Sequence, residues 1–148
     1  MFVARFNADG TGEWLPLTTA NPALSGFATQ ADILINARAA ADAVGATKMD
    51  RPEWIDVRNA QLEVFVTLTN NSQRGTTGRA PVDAANPRPN NVYGHVVRWR
   101  YRNDFDEPTF AWEIFGTTDA PVGHAAHGNS GPRPPRSSMI MVMNASAS

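Results

Sequence analysis

"WIDVRNAQLEVFVTLT", residues 54–69, decides the fold class. Val64, Val66 and Leu68 alternate with Phe65, Thr67 and Thr69, and β-branched residues dominate the run. A period of two puts one set of side chains on each face of a strand. Such a composition suits a pleated, half-buried surface. "WIDV" (54–57) and "LEVFVTLT" (62–69) therefore read as two strands, with "RNAQ" (58–61) as the turn between them. The pattern returns in "YGHVVRWRY" (93–101) and "FAWEIF" (110–115), joined through the turn "RNDFDEPT" (102–109).

Working outward, the N-terminal segment gives a further hairpin. "FVARF" (2–6) and "EWLPL" (13–17) flank the turn cluster "NADGTG" (7–12), and Pro16 restricts the second strand to an edge or a bulge. From Thr29 the period changes. Thr29 and Asp32 have the spacing of a capping box, and Ile33, Leu34, Ala37, Ala40, Ala41 and Val44 recur at helical intervals. The spacing predicts one helix over 30–44, ended by Gly45 in a left-handed cap.

Hairpins in series with one helical insertion predict a mainly β fold. β-Propeller blades have this rhythm, and so does a β-sandwich. A propeller needs at least four blades, about 160 residues at roughly 40–45 per blade. The 148 residues supply two or so, which predicts a partial propeller, a fragment of a longer β domain. Residues 1–115 are assigned to that domain. Residues 116–148, rich in Gly, Pro, Ala and Ser and without periodicity, are expected to be a disordered or aberrant tail. The polar segment 70–91 is long for a loop inside a compact domain and is expected to be functional or disordered.

Composition excludes several classes. A formal net charge of −1 gives no bulk field to attract nucleic acid or an anionic membrane. No apolar run approaches the roughly 18 residues of a membrane span. With no cysteine, the chain has no disulfide, thiolate metal site or cysteine nucleophile. "MFVARFNADG" lacks the charged and apolar regions of a signal peptide.

The candidate chemistry lies in "MDRPEW", residues 49–54. Pro52 pushes Arg51 out of right-handed helical space, and in an extended segment the Arg51 and Glu53 side chains point to one side. A guanidinium can hold phosphate oxygens in two hydrogen bonds, and a carboxylate offers hard oxygens to calcium. On spacing alone, a surface salt bridge between the two is the favoured alternative. Asn70-Asn71 and Asn90-Asn91, at strand ends, could ligate calcium but more often cap turns. His95 has no second ligand nearby and reads as structural or exposed. His124 and His127 would form a metal pair only on a helix, which the surrounding Gly and Pro oppose. Trp14, Trp54, Trp99 and Trp112 are expected in the core. Arg98, Arg100 and Arg102 alternate along one strand face and are expected to be neutralised by Asp104, Asp106 and Glu107.

"NADGTGEWLPL", "ATQADILINARAAADAVGATKMDRPEW", "EVFVTLTNNS" and "DAANPRPNNVYGHVVRWR" together resemble, in the same order, a stretch of the PhoX-type alkaline phosphatases. The resemblance covers roughly residues 1–115. It implies a calcium-dependent β-propeller phosphatase, periplasmic or secreted, that hydrolyses phosphomonoesters with calcium and an iron pair. It also implies that Arg51 contacts the phosphate and Glu53 ligates a metal. The iron-binding cysteine of that family has no counterpart here, and the family's chains are several times longer. The isolated chain is therefore expected to be inactive, a remnant of such an enzyme that self-associates through open strand edges. The alternative is a non-catalytic β-rich scaffold or binding fragment.

Overall fold

The computed structural model describes residues 1–117. Six strands, β1 (Phe2–Phe6), β2 (Thr11–Pro16), β3 (Pro52–Arg58), β4 (Glu63–Leu68), β5 (His95–Arg100) and β6 (Thr109–Thr117), join in one antiparallel sheet. Its order is β1-β2-β6-β5-β4-β3. The mainly β class and the three hairpins stand as the alternation implied. The hairpins are fused into a continuous sheet because β2 pairs with β6, with Gly12 opposite Phe110. β1 and β3 form its two edges.

The first turn forms for local reasons. Asn7 N–H donates to Thr11 O at 2.8 Å, Gly10 takes a φ of +84°, and Asp9 Oδ1 accepts from both the Thr11 amide and hydroxyl. Pro16 ends β2 opposite Phe2, beyond the residues that β6 pairs with, so its missing N–H breaks no ladder.

The helical insertion is present but in two pieces, α1 (Gln30–Ile35) and α2 (Ala37–Ala43). The capping box forms: Asp32 N–H donates to Thr29 Oγ1, and Thr29 N–H to Asp32 Oδ2. The single helix over 30–44 is corrected at Asn36, whose φ of −105° and ψ of 36° leave helical space. Its side-chain amide donates back to Asp32 O, the local competition that makes asparagine a poor interior helix residue. Leu34 and Ile35 are exposed, while Ile33, Ala40 and Ala41 are fully buried. These three pack with Val3, Leu17 and Leu24 on one face of the β1–β2 hairpin.

The opposite face of that hairpin builds the main core. Phe6 and Trp14 meet Trp99, Phe110 and Trp112, with Val64, Val66, Leu68 and Val97 beside them. Ring centroids lie 5.1–6.3 Å apart in edge-to-face or tilted pairs, as the aromatic quadrupoles favour. The Trp14 and Trp99 indole N–H groups both donate to the Tyr101 hydroxyl, at 3.0 and 3.2 Å. Trp54 does not join this core. It is 78% exposed, because among the described residues β3 is an edge strand paired with β4 alone, and its partner across the ladder is Thr67 rather than a core residue.

The arginines of β5 are neutralised from the neighbouring strands. Arg98 donates to Glu63 and Glu113, and Arg100 Nε to Glu63 at 2.6 Å. Asp104 and Asp106 make no ion pair with Arg98 or Arg100, and Glu107 instead accepts from the Arg102 and Asn103 amides. Antiparallel pairing sets Glu63 directly opposite Arg100 and Glu113 opposite Arg98, which chain order alone does not display. The expected tail begins within β6, and its residues from 118 on, with His124 and His127, lie outside the described residues.

Candidate active site

Asp50 is wholly buried where the chain leaves the helices and enters β3, and Arg51, which follows it, is exposed. Arg51 has a φ of +36°, a left-handed conformation that a non-glycine residue seldom adopts. Proline at 52 does keep it out of right-handed helical space, but the segment is not extended as the spacing implied. Arg51 O accepts from the Thr69 amide at 3.1 Å.

Glu53 sits in a second irregularity. Pro52 pairs with Leu68 and Trp54 with Thr67, so Glu53 is the extra residue of a bulge. The Trp54 amide turns to Thr67 Oγ1 at 3.1 Å. Bulges re-aim side chains, and they recur beside active sites. Both Arg51 and Glu53 are exposed, and no ion pair joins them among the described residues. The surface salt bridge is thus not formed. A positive and a negative group, two residues apart at the edge of the sheet, stand open to solvent.

Behind them lies a buried polar network that sequence reading missed. Asp50 Oδ1 accepts from Arg74 Nε and from Asn71 Nδ2, each at 2.8 Å, while Asp50 Oδ2 is buried without a hydrogen bond. Arg74 also donates to Lys48 O at 2.7 Å and to Pro81 O at 2.9 Å. Asn86 receives the Asp50 amide at 2.9 Å and donates to Lys48 O. These bonds order the segment 70–91, so that the long loop is built around a buried arginine. A signal existed in Asp50, Arg74 and Asn86, but nothing in their spacing pairs them.

Asn71 and Asn91 bridge each other, with Asn71 N–H donating to Asn91 O at 2.6 Å. Asn91 Oδ1 accepts from the Tyr93 and Gly94 amides, and Asn71 Oδ1 from Gln73, which is the turn-capping role. His95 is buried. Its Nε2 lies 2.7 Å from Ala85 O, an acceptor, so Nε2 carries the hydrogen and Nδ1 faces Asn91 Nδ2 at 3.4 Å. Burial pushes the imidazole pKa below its ordinary value of 6.5, against the raising influence of the Ala85 carbonyl and Asp50.

Among the described residues, no group of three or more His, Cys, Asp or Glu side chains could hold a metal ion. Calcium takes roughly six to eight oxygens. Glu53 is one carboxylate, and the chain has no cysteine. The described residues do not make a complete calcium or iron site.

Residues 1–138 match the family of alkaline phosphatase PhoX. The chain belongs to this family. Its fold is similar to that of Pseudomonas fluorescens PhoX, solved in complex with vanadate, a transition-state analogue. The two share 52% identity with a TM-score of 0.70, over 77% of this chain. That overlap is 22% of the Pseudomonas chain, so the PhoX member described here spans about a fifth of its relative. No curated protein matches the chain. The PhoX match runs past residue 115, the boundary that composition suggested.

Proposed function

We propose that this PhoX member carries part of the active centre of a phosphatase that hydrolyses phosphate monoesters by metal-assisted phosphoryl transfer. In this reading Arg51 contacts the phosphate and Glu53 is one ligand of a metal, calcium in a family that also uses iron. A periplasmic or secreted location belongs to the same reading. Family membership carries it, together with the vanadate bound to the Pseudomonas relative, a transition-state analogue that mimics the five-coordinate phosphorus of phosphoryl transfer. The exposed, left-handed Arg51 and the bulged Glu53 support the residue roles.

The chemistry within reach of this chain is electrostatic. The guanidinium can donate two parallel hydrogen bonds to phosphoryl oxygens and hold the ester in register for attack. Phosphoryl transfer spreads charge over the equatorial oxygens, so a fixed cation is worth most in the transition state. A metal, when bound, polarises the phosphoryl group. Because the described residues supply one candidate ligand, the isolated chain is expected to be inactive.

The open edge of β3 supports a further part of this reading, self-association of the isolated chain. Trp54, Ile55 and Val57 are all exposed on a strand whose outer backbone groups have no neighbouring strand among the described residues. No helix of the described residues is long and apolar enough to cross a membrane.

The experiment is a graft. The matched part of this chain, 77% of it, replaces the corresponding segment of the Pseudomonas enzyme, and hydrolysis of p-nitrophenyl phosphate is followed with calcium present. An active chimera that loses activity with Arg51→Ala and with Glu53→Ala supports the assignment. Undiminished hydrolysis in both variants removes it, and favours the alternative of a non-catalytic β-rich scaffold.

A further inference from the structure

Left-handed backbone at a non-glycine residue is strained and persists only where the surroundings impose it. Arg51 carries that conformation, and the restriction imposed by the following proline is added to it. The segment just before it is held from three sides. The Asp50 amide donates to Asn86 Oδ1, and the Asp50 carboxylate takes Arg74 and Asn71 on a single oxygen. Two residues upstream, Lys48 O accepts from both Arg74 and Asn86, at 2.7 and 2.9 Å. The other side is fixed by the sheet, where Thr69 donates to Arg51 O and Pro52 begins the pairing with β4. Arg51 is the joint between a clamped segment and a paired strand.

We propose that Arg74, Asp50 and Asn86 are positioning residues for Arg51: the buried clamp fixes residues 48–50 so that the chain must turn left-handed at 51. The turn sends the guanidinium out to solvent beside the bulged Glu53. Arg74 suits this task better than lysine would, since its three nitrogens bind Asp50, Pro81 O and Lys48 O in separate directions. The functional weight of the inference rests on the reading of Arg51 as the phosphate contact. The conformational claim stands apart from it.

The test reads the Arg51 backbone itself. In the isotopically labelled 148-residue chain, the Arg51 Cα and Cβ shifts and the HN–Hα coupling report a left-handed residue without any ligand. Asn86→Ala and Arg74→Lys are expected to move these values towards those of extended backbone. Arg51→Gly, which relieves the left-handed strain, is expected to raise the thermal midpoint of the parent by about 2–5 °C and to give no gain in Asn86→Ala. An unchanged Arg51 signature in both clamp variants, with equal gains from Arg51→Gly, overturns the proposal. Should a variant fail to fold, amide exchange in the parent decides. Protection of the Asp50 and Thr69 amides equal to that of the β4–β5 ladder supports the clamp, and exchange at least tenfold faster refutes it. If the clamp holds while the graft hydrolyses its substrate without Arg51, only the functional reading fails.

Discussion

The Nε of Arg74 lies 2.8 Å from Oδ1 of Asp50, and both side chains are fully buried. The pair joins the segment 70–91 to the entrance of β3, so it ties the longest loop of the described residues to the candidate site. Breaking a buried pair leaves one charge without its partner, a loss of about 3–5 kcal/mol. Arg74→Met is therefore expected to lower the free energy of urea unfolding by that amount. A loss under about 1 kcal/mol would show the pair to be incidental.

A second expectation concerns the shared hydroxyl in the core. Tyr101→Phe hardly changes volume, yet it strands the indole N–H groups of Trp14 and Trp99, both of which are buried. An unsatisfied buried donor costs about 1–3 kcal/mol. The variant should lose at least that much stability in chemical denaturation, and a neutral result would place another acceptor beside the indoles.

Gly94 offers a steric test. Its φ is +86°, and a Cβ built there collides with the carbonyl oxygen of Leu68. Gly94→Ala should destabilise the chain in thermal unfolding by more than the roughly 1 kcal/mol of a left-handed backbone alone. Gly26→Ala, where nothing lies within 4 Å of the new methyl, is the control and should be close to neutral.

His95 sets a pH dependence. Burial holds its folded pKa below the ordinary 6.5, with Arg88 and Arg74 lowering it further and the Ala85 carbonyl and Asp50 opposing. Between the folded value and 6.5 the unfolded chain binds the extra proton, so stability rises with pH there. The contribution is full above pH 6.5 and is lost as the pH falls below it towards the folded pKa. His95→Gln should flatten unfolding free energy against pH in the range below pH 6.5. Parallel curves for parent and variant would exclude this role.

The edge of β3 predicts association. The isolated chain should elute as oligomers in size-exclusion chromatography, and Trp54→Lys with Val57→Lys should shift it towards monomer, because charge on an edge strand opposes pairing. A sharp monomer peak for the parent would contradict this.

The strands were legible because their alternation is local: Val64, Val66 and Leu68 face the core and Phe65 and Thr67 the other side, as a period of two requires. The closure of β2 onto β6 was not, since it joins Gly12 to Phe110 across nearly the whole described chain. The helix was read correctly at its capping box and wrongly at Asn36, where one side chain competes for the backbone. MDRPEW stood out for its charged residues around a proline, while its conformation, left-handed at Arg51 and bulged at Glu53, was not legible. Arg74 lies 24 residues from Asp50, inside a segment whose composition reads as loop, and only the folded chain brings them together. Trp54 misled because alternation gives the face of a strand and not its place in the sheet.

Vanadate affinity of the grafted enzyme tests the central assignment most directly. Charge-assisted hydrogen bonds contribute about 1.5–3 kcal/mol, so Arg51→Ala should weaken vanadate inhibition by roughly 10- to 150-fold. An inhibition constant unchanged by Arg51→Ala in an active, folded graft would contradict the claim that Arg51 holds the phosphoryl group.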